Sequence, residues 1–230
     1  MQFITKNSTL IGNKIQFNSN EITEITHINF LGLEIDNLLS WNLHIDKVIN
    51  KLTSICFMLR AVKPYMSISS LKTIYYSLFH SVLSYGIIFW GHCSSTQRLF
   101  VWQKKAVRLI IGQGNRTSCR HIFKQLEILP LKSQYIYSIL LFVSKHKHFF
   151  KTNFTRHNIR TRQSENLHLP SSSLTVFQNG VYFSGIKIFN KLPLELKQLV
   201  EFPRKFKVAV RRYLVLHCFY TIDEFVNMDW

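Results

Sequence analysis

The sequence predicts a mainly α fold: a helical bundle preceded by a small antiparallel β element and followed by a smaller helical region. Three observations carry this. Apolar residues recur at 3.6-residue spacing over most of the chain from residue 40 onward. Before that point they alternate loosely with polar neighbours, as in half-buried strands. Hydrophobic residues make up 47% of the 230 and aromatic residues 14%, ample for packed cores.

Residues 1–37 read as the β element. Ile11-Gly12-Asn13-Lys14 is a turn signal between short alternating runs. Phe30–Ile35 reads as one strand, with Gly32 inside it as a bulge or a close backbone approach.

The helical bundle spans 38–148. Ser40 is placed to N-cap its first helix, whose apolar positions include Trp41, Ile45, Val48, Leu52, Cys56 and Leu59. Asp46 lies near the start of that helix, where the dipole favours negative charge. Pro64 ends it. Ser67 or Ser69 begins a second helix, which Gly86 interrupts. A third runs from Ser95 to Ile111 and stops at Gly112, with Leu99, Trp102, Ala106, Leu109 and Ile110 as its core face. Val101, Lys104, Lys105 and Arg108 stand at i, i+3, i+4 and i+7, which puts three cations in one stripe. Two more helices follow, over Ser118–Leu126 and Lys132–Lys147. In 149–180 apolar periodicity fades and Arg156, Arg160 and Arg162 stand out, the pattern of a basic linker. Residues 181–230 return to helix: Tyr182–Leu192 stopped by Pro193, a long helix opened by Pro203, and a capping box at Thr221–Glu224.

Charge narrows the partners. Lys and Arg number 29 against 12 Asp and Glu, a net charge of +17. No acid occurs between Asp46 and Glu127, a span that holds Lys47, Lys51, Arg60, Lys63, Lys104, Lys105 and Arg108. One-sign depletion over so long a folded stretch costs self-repulsion unless a polyanion relieves it. A membrane span is not expected: Leu78–Trp90 is apolar but shorter than the roughly 20 residues a crossing needs. No secretory leader is visible, so a nuclear or cytoplasmic location is expected. The cysteines Cys56, Cys93, Cys119 and Cys218 form no C-x-x-C pair and read as reduced thiols, Cys56 as small core filler on an apolar helix face.

Four stretches, in order, resemble the C-terminal part of non-LTR (LINE-type, jockey-like) retrotransposon reverse transcriptases. They are Phe30–Asp36 with Leu39-Ser40-Trp41 and His44-Ile45; Leu71–Leu83 with Tyr85-Gly86 and Phe89-Trp90-Gly91; Gln103–Ile110; and Tyr182–Pro193 with Phe206 and Tyr213 beyond. The resemblance implies that Phe30, Leu31 and Gly32 belong to a primer-grip strand at the palm edge, and that Trp41–Ile111 is a thumb. It implies RNA and DNA as partners: a template–primer duplex held largely without regard to sequence, by the cations already named.

The chain departs from the family where the chemistry lies. Polymerisation uses magnesium ions held by palm carboxylates, adjacent aspartates among them. Here the aspartates are Asp36, Asp46, Asp223 and Asp229, and none adjoins another. Glu34 and Asp36 share a strand face, but a solvated strand end accounts for them better than a metal. His146 and His148 read as a basic helix end. The expectation is therefore a fragment with no catalytic residue, metal site or cofactor of its own. The alternative is a translated remnant of a truncated transposon without activity.

Overall fold

The computed structural model describes residues 1–5 and 16–228. The fold is mainly helical, with two small antiparallel sheets near the N-terminus, in agreement with the predicted class. The turn expected at Ile11–Lys14 lies outside the described residues. Strands β1 (Gln16–Phe17) and β2 (Asn20–Glu21) pair, as do β3 (His27–Phe30) and β4 (Leu33–Asp36).

The second hairpin corrects the reading of Phe30–Ile35 as one strand. Phe30 faces Leu33 across the register, so Leu31 and Gly32 are a two-residue turn. Both have positive φ, 49° and 80°. This mirror-image geometry matches the right-handed twist of paired strands, and glycine enters it without steric cost.

Helix α1 (Asn42–Val62) does not start from a Ser40 cap. The residue before it, Trp41, is the N-cap, left-handed at φ 63°, and provides no side-chain cap. Asp36 organises the entry instead. Its carboxylate accepts from the Leu38, Ser40 and Trp41 N–H groups at 3.1, 3.0 and 2.9 Å and from Ser40 Oγ at 3.1 Å. Two anionic oxygens at a strand end satisfy more donors than one hydroxyl can. Asp46 lies beyond the first turn and pairs with Arg98 at 2.6 Å.

Next come α2 (Ile68–Ile74), a π-helical turn (Tyr75–His80), α3 (Ser81–Ser84), α4 (Ile87–Trp90) and α5 (Thr96–Ile111). Ser67 caps α2 by accepting from Ser70 N at 3.1 Å. The core face of α5 is rotated from the expected one. Leu99, Phe100, Gln103, Ala106, Val107 and Ile110 are buried, whereas Trp102 and Leu109 are half-buried. Gln103 turns inward because three buried groups need it. Its amide donates to Tyr75 Oη and Leu129 O, each at 2.9 Å, and accepts from Leu131 N at 2.8 Å.

The remaining helices are α6 (Arg120–Leu126), α7 (Leu131–Lys145), α8 (Asn153–His157), α9 (Thr175–Gln178), α10 (Val181–Asn190), α11 (Leu194–Gln198), α12 (Pro203–His217) and α13 (Ile222–Val226). Helix α7 is the hub, packing against α3, α4, α5, α10, α12 and α13. One apolar cluster runs from Leu33 to Phe225. Among the described residues no single helix is long and apolar enough to cross a membrane.

The core also holds two histidines whose charged forms burial disfavours. His80 Nδ1 and His92 Nδ1 are buried with no hydrogen-bond partner. Burial, aided by Arg211 beside His80 and Lys132 beside His92, pushes both down to about 4. An unfolded histidine binds its proton near pH 6.5, so between that pH and 4 the unfolded chain holds more protons. Stability should therefore be full above pH 6.5 and fall as acid is added, by on the order of 1–3 kcal/mol per histidine at pH 4. Urea melts at pH 7.5 and 4.5 check this, and His80→Gln should flatten the difference.

Candidate nucleic-acid interface

Helices α1 and α5 run side by side in the same direction. Ser95 Oγ meets Asn42 Oδ1 at 2.6 Å, Arg98 meets Asp46, and at the far end Lys63 Nζ lies beside Gly112. This pair carries most of the predicted binding residues. Lys51 and Arg60 are exposed on α1 and Lys105 on α5. Lys51, Arg60, Lys63, Lys104 and Lys105 form no ion pair among the described residues, so their charge is available to an anion.

Lys47 and Arg108 are committed to protein partners, and Lys63, Lys104 and Lys105 make contacts besides. Lys47 pairs with Glu34 at 2.5 Å. Lys63, beside the C-terminus of α5, complements the helix dipole there. The expected stripe of Lys104, Lys105 and Arg108 is divided. Lys105 lies over the Trp102 ring at 3.8 Å and, with Arg60, acts on the Cys56 thiol. Lys104 lies over Phe100 at 4.7 Å and, with Arg108, acts on Cys119. Arg108 Nε donates to Thr117 O at 2.9 Å and so anchors the loop after α5. The three thus differ in their immediate partners.

The buried thiols are held in their neutral form. Burial raises Cys56, Cys93 and Cys218 to about 11, which leaves them protonated near neutrality.

Phe30 and Leu31 stand at the tip of the β3–β4 hairpin, 57% and 73% exposed. A clasp that sequence reasoning did not foresee holds that tip on the bundle. Tyr85 Oη donates to Leu31 O at 2.5 Å, and Trp90 Nε1 donates to Tyr85 O at 3.0 Å. His44 packs 5.6 Å from the Trp90 ring and 6.1 Å from Trp41, and its Nδ1 accepts from Glu34 N at 3.4 Å. Gly86, at φ 61°, sits under Leu33; a Cβ there would come within 2.8 Å of Leu33 Cδ2. The strand motif and the Tyr85-Gly86 motif, some fifty positions apart, are thus one structural unit. Gly86→Ala combines positive φ with that clash and should cost about 1–3 kcal/mol. Hydrogen exchange should show protection lost first over residues 27–36.

Glu34 and Asp36 are spent on this same unit. Asn29 Nδ2 donates to Glu34 at 2.7 Å, and Lys47, with Asn29, lowers the Glu34 carboxyl below its ordinary range. Asp36 accepts the four hydrogen bonds described above. Among the described residues no three His, Cys, Asp or Glu side chains converge as metal ligands. The residues present do not fit the magnesium ions of a polymerase site.

Fold and surface thus define a class: a helical protein with a cationic, acid-poor helix pair beside an exposed apolar hairpin tip. Comparison carries the assignment no further, since no protein family, curated protein or solved structure matches the chain.

Proposed function

We propose that this chain is the palm edge, thumb and C-terminal region of a non-LTR retrotransposon reverse transcriptase, and that its own work is to hold template–primer duplex. The observation that carries this reading is the α1–α5 pair, whose Lys51, Arg60, Lys104 and Lys105, with Lys63 just past α1, have no acidic partner among the described residues. A duplex backbone is a regular array of phosphates, and cations on two parallel helices meet it without reading bases. Phe30 and Leu31, apolar and exposed, supply a surface for the primer end. The four motif stretches support the same reading. The chemistry of nucleotide addition is not assigned to these residues, because Glu34 and Asp36 are engaged in structural contacts.

The test is binding of labelled RNA·DNA hybrids by fluorescence anisotropy. Hybrids of unrelated sequence should bind with affinities within a few-fold of one another. Absence of binding at low salt, or strong preference for one sequence, would overturn the proposal.

A further inference from the structure

The strongest unassigned feature is the segment 151–168, part of the stretch expected as a basic linker. It is a closed loop rather than an open tether. Thr152 bridges Leu167, His168 N donates to Lys151 O at 2.8 Å, Asn153 N to Asn166 O at 2.9 Å and Phe154 N to Ser164 O at 3.0 Å. Asn190 of α10 clamps the closure from outside, accepting from Leu167 N and donating to Leu167 O, both at 2.8 Å. Lys197 adds a bond to Asn166 Oδ1 at 3.2 Å. Inside, α8 is capped by Thr152, which accepts from Thr155 N at 3.1 Å.

This closed loop displays Arg156, Arg160 and Arg162, all exposed and without ion pairs among the described residues. Glu165 is the loop's single acid. The loop also exposes apolar surface. Ile159 is 61% exposed, and Phe154, 37% exposed, has the Arg160 guanidinium 5.8 Å from its ring centroid. A loop that served only solubility would gain nothing from an exposed ring. A duplex would meet the arginines but leave the ring unused, because its base faces are stacked away. A single strand presents phosphates and free base faces together.

We infer that residues 151–168 form a second nucleic-acid site, distinct from the α1–α5 pair, that holds a single-stranded polynucleotide with Arg156, Arg160 and Arg162 on phosphates and Phe154 against a base. The closure by Asn190 pre-orders the loop, so binding does not have to supply that ordering.

The experiment uses the full chain, a short fluorescein-labelled oligouridylate and an RNA·DNA hybrid. Joint Arg156→Glu, Arg160→Glu and Arg162→Glu should weaken oligouridylate binding about thirtyfold or more and hybrid binding by less than about threefold. Phe154→Ala should weaken oligouridylate about tenfold while leaving its salt dependence unchanged. Circular dichroism monitors folding; should the triple variant unfold, Arg160→Gln alone, which leaves the loop's closing bonds intact, should still weaken oligouridylate several-fold. Charge reversal at Lys104 and Lys105 should spare oligouridylate, so failure of the duplex reading and failure of this one are separable. Normal oligouridylate binding by the arginine variants, equal loss of hybrid binding, or displacement of oligouridylate by phosphatidylserine vesicles would each overturn the inference.

Discussion

Joint reversal of Lys51, Lys104 and Lys105 to Glu should lower duplex affinity on the order of a hundredfold, equally for hybrids of different sequence. Each lysine is without an acidic partner among the described residues, so its removal leaves no buried group unsatisfied. The cost is therefore read in binding rather than in stability. Three lost phosphate contacts at about 1 kcal/mol apiece, with repulsion added, give that magnitude. The slope of log affinity against log salt should shrink by about three. Arg108 is left out because its bond to Thr117 O makes it a structural residue. A variant that folds normally and binds duplex as the parent does would show that these cations are only solvated.

Gln103→Ala should be the most destabilising polar substitution in the bundle, by about 3–5 kcal/mol. The side chain is fully buried and joins three elements: Tyr75 in the π-helical turn, Leu129 before α7 and Leu131 at its start. Truncation leaves a hydroxyl, a carbonyl and an N–H in a dry interior without partners. Gln103→Leu would fill the volume and still strand those groups, so it should recover little. Chemical denaturation of both variants gives the comparison. A loss below about 1 kcal/mol would show that water reaches this junction.

Much of this fold was legible in the residues because its helices obey local rules. Gly112 ends α5 in the left-handed conformation at φ 83°, Pro203 opens α12, and Thr221 caps α13 by accepting from Glu224 N at 3.0 Å. What sequence could not show depends on contacts between distant segments. The Phe30–Ile35 run is apolar enough for one strand, and only pairing with the mirror-image turn makes it two. Trp102 looked like core at its spacing, but Lys105 covers it at the surface while Gln103 takes the interior. Spacing places Lys104, Lys105 and Arg108 on one helix but does not show that Arg108 bonds Thr117 O in the loop after α5 while Lys105 lies over Trp102. The Tyr85–Leu31 clasp spans 54 positions, beyond the reach of any local pattern. His80 and His92 drew no reading from sequence, because only the packing of distant helices buries them.

The most direct test of the central claim is the salt dependence of duplex binding by the intact chain. Five cations on α1, α5 and the turn that follows α1 have no acidic partner among the described residues, and each released counterion contributes about −0.9 to the slope of log affinity against log salt. The expected slope is therefore about −4 to −5, with little dependence on hybrid sequence. A slope near zero would contradict the account, because it would mean that the helix pair does not hold a polyanion.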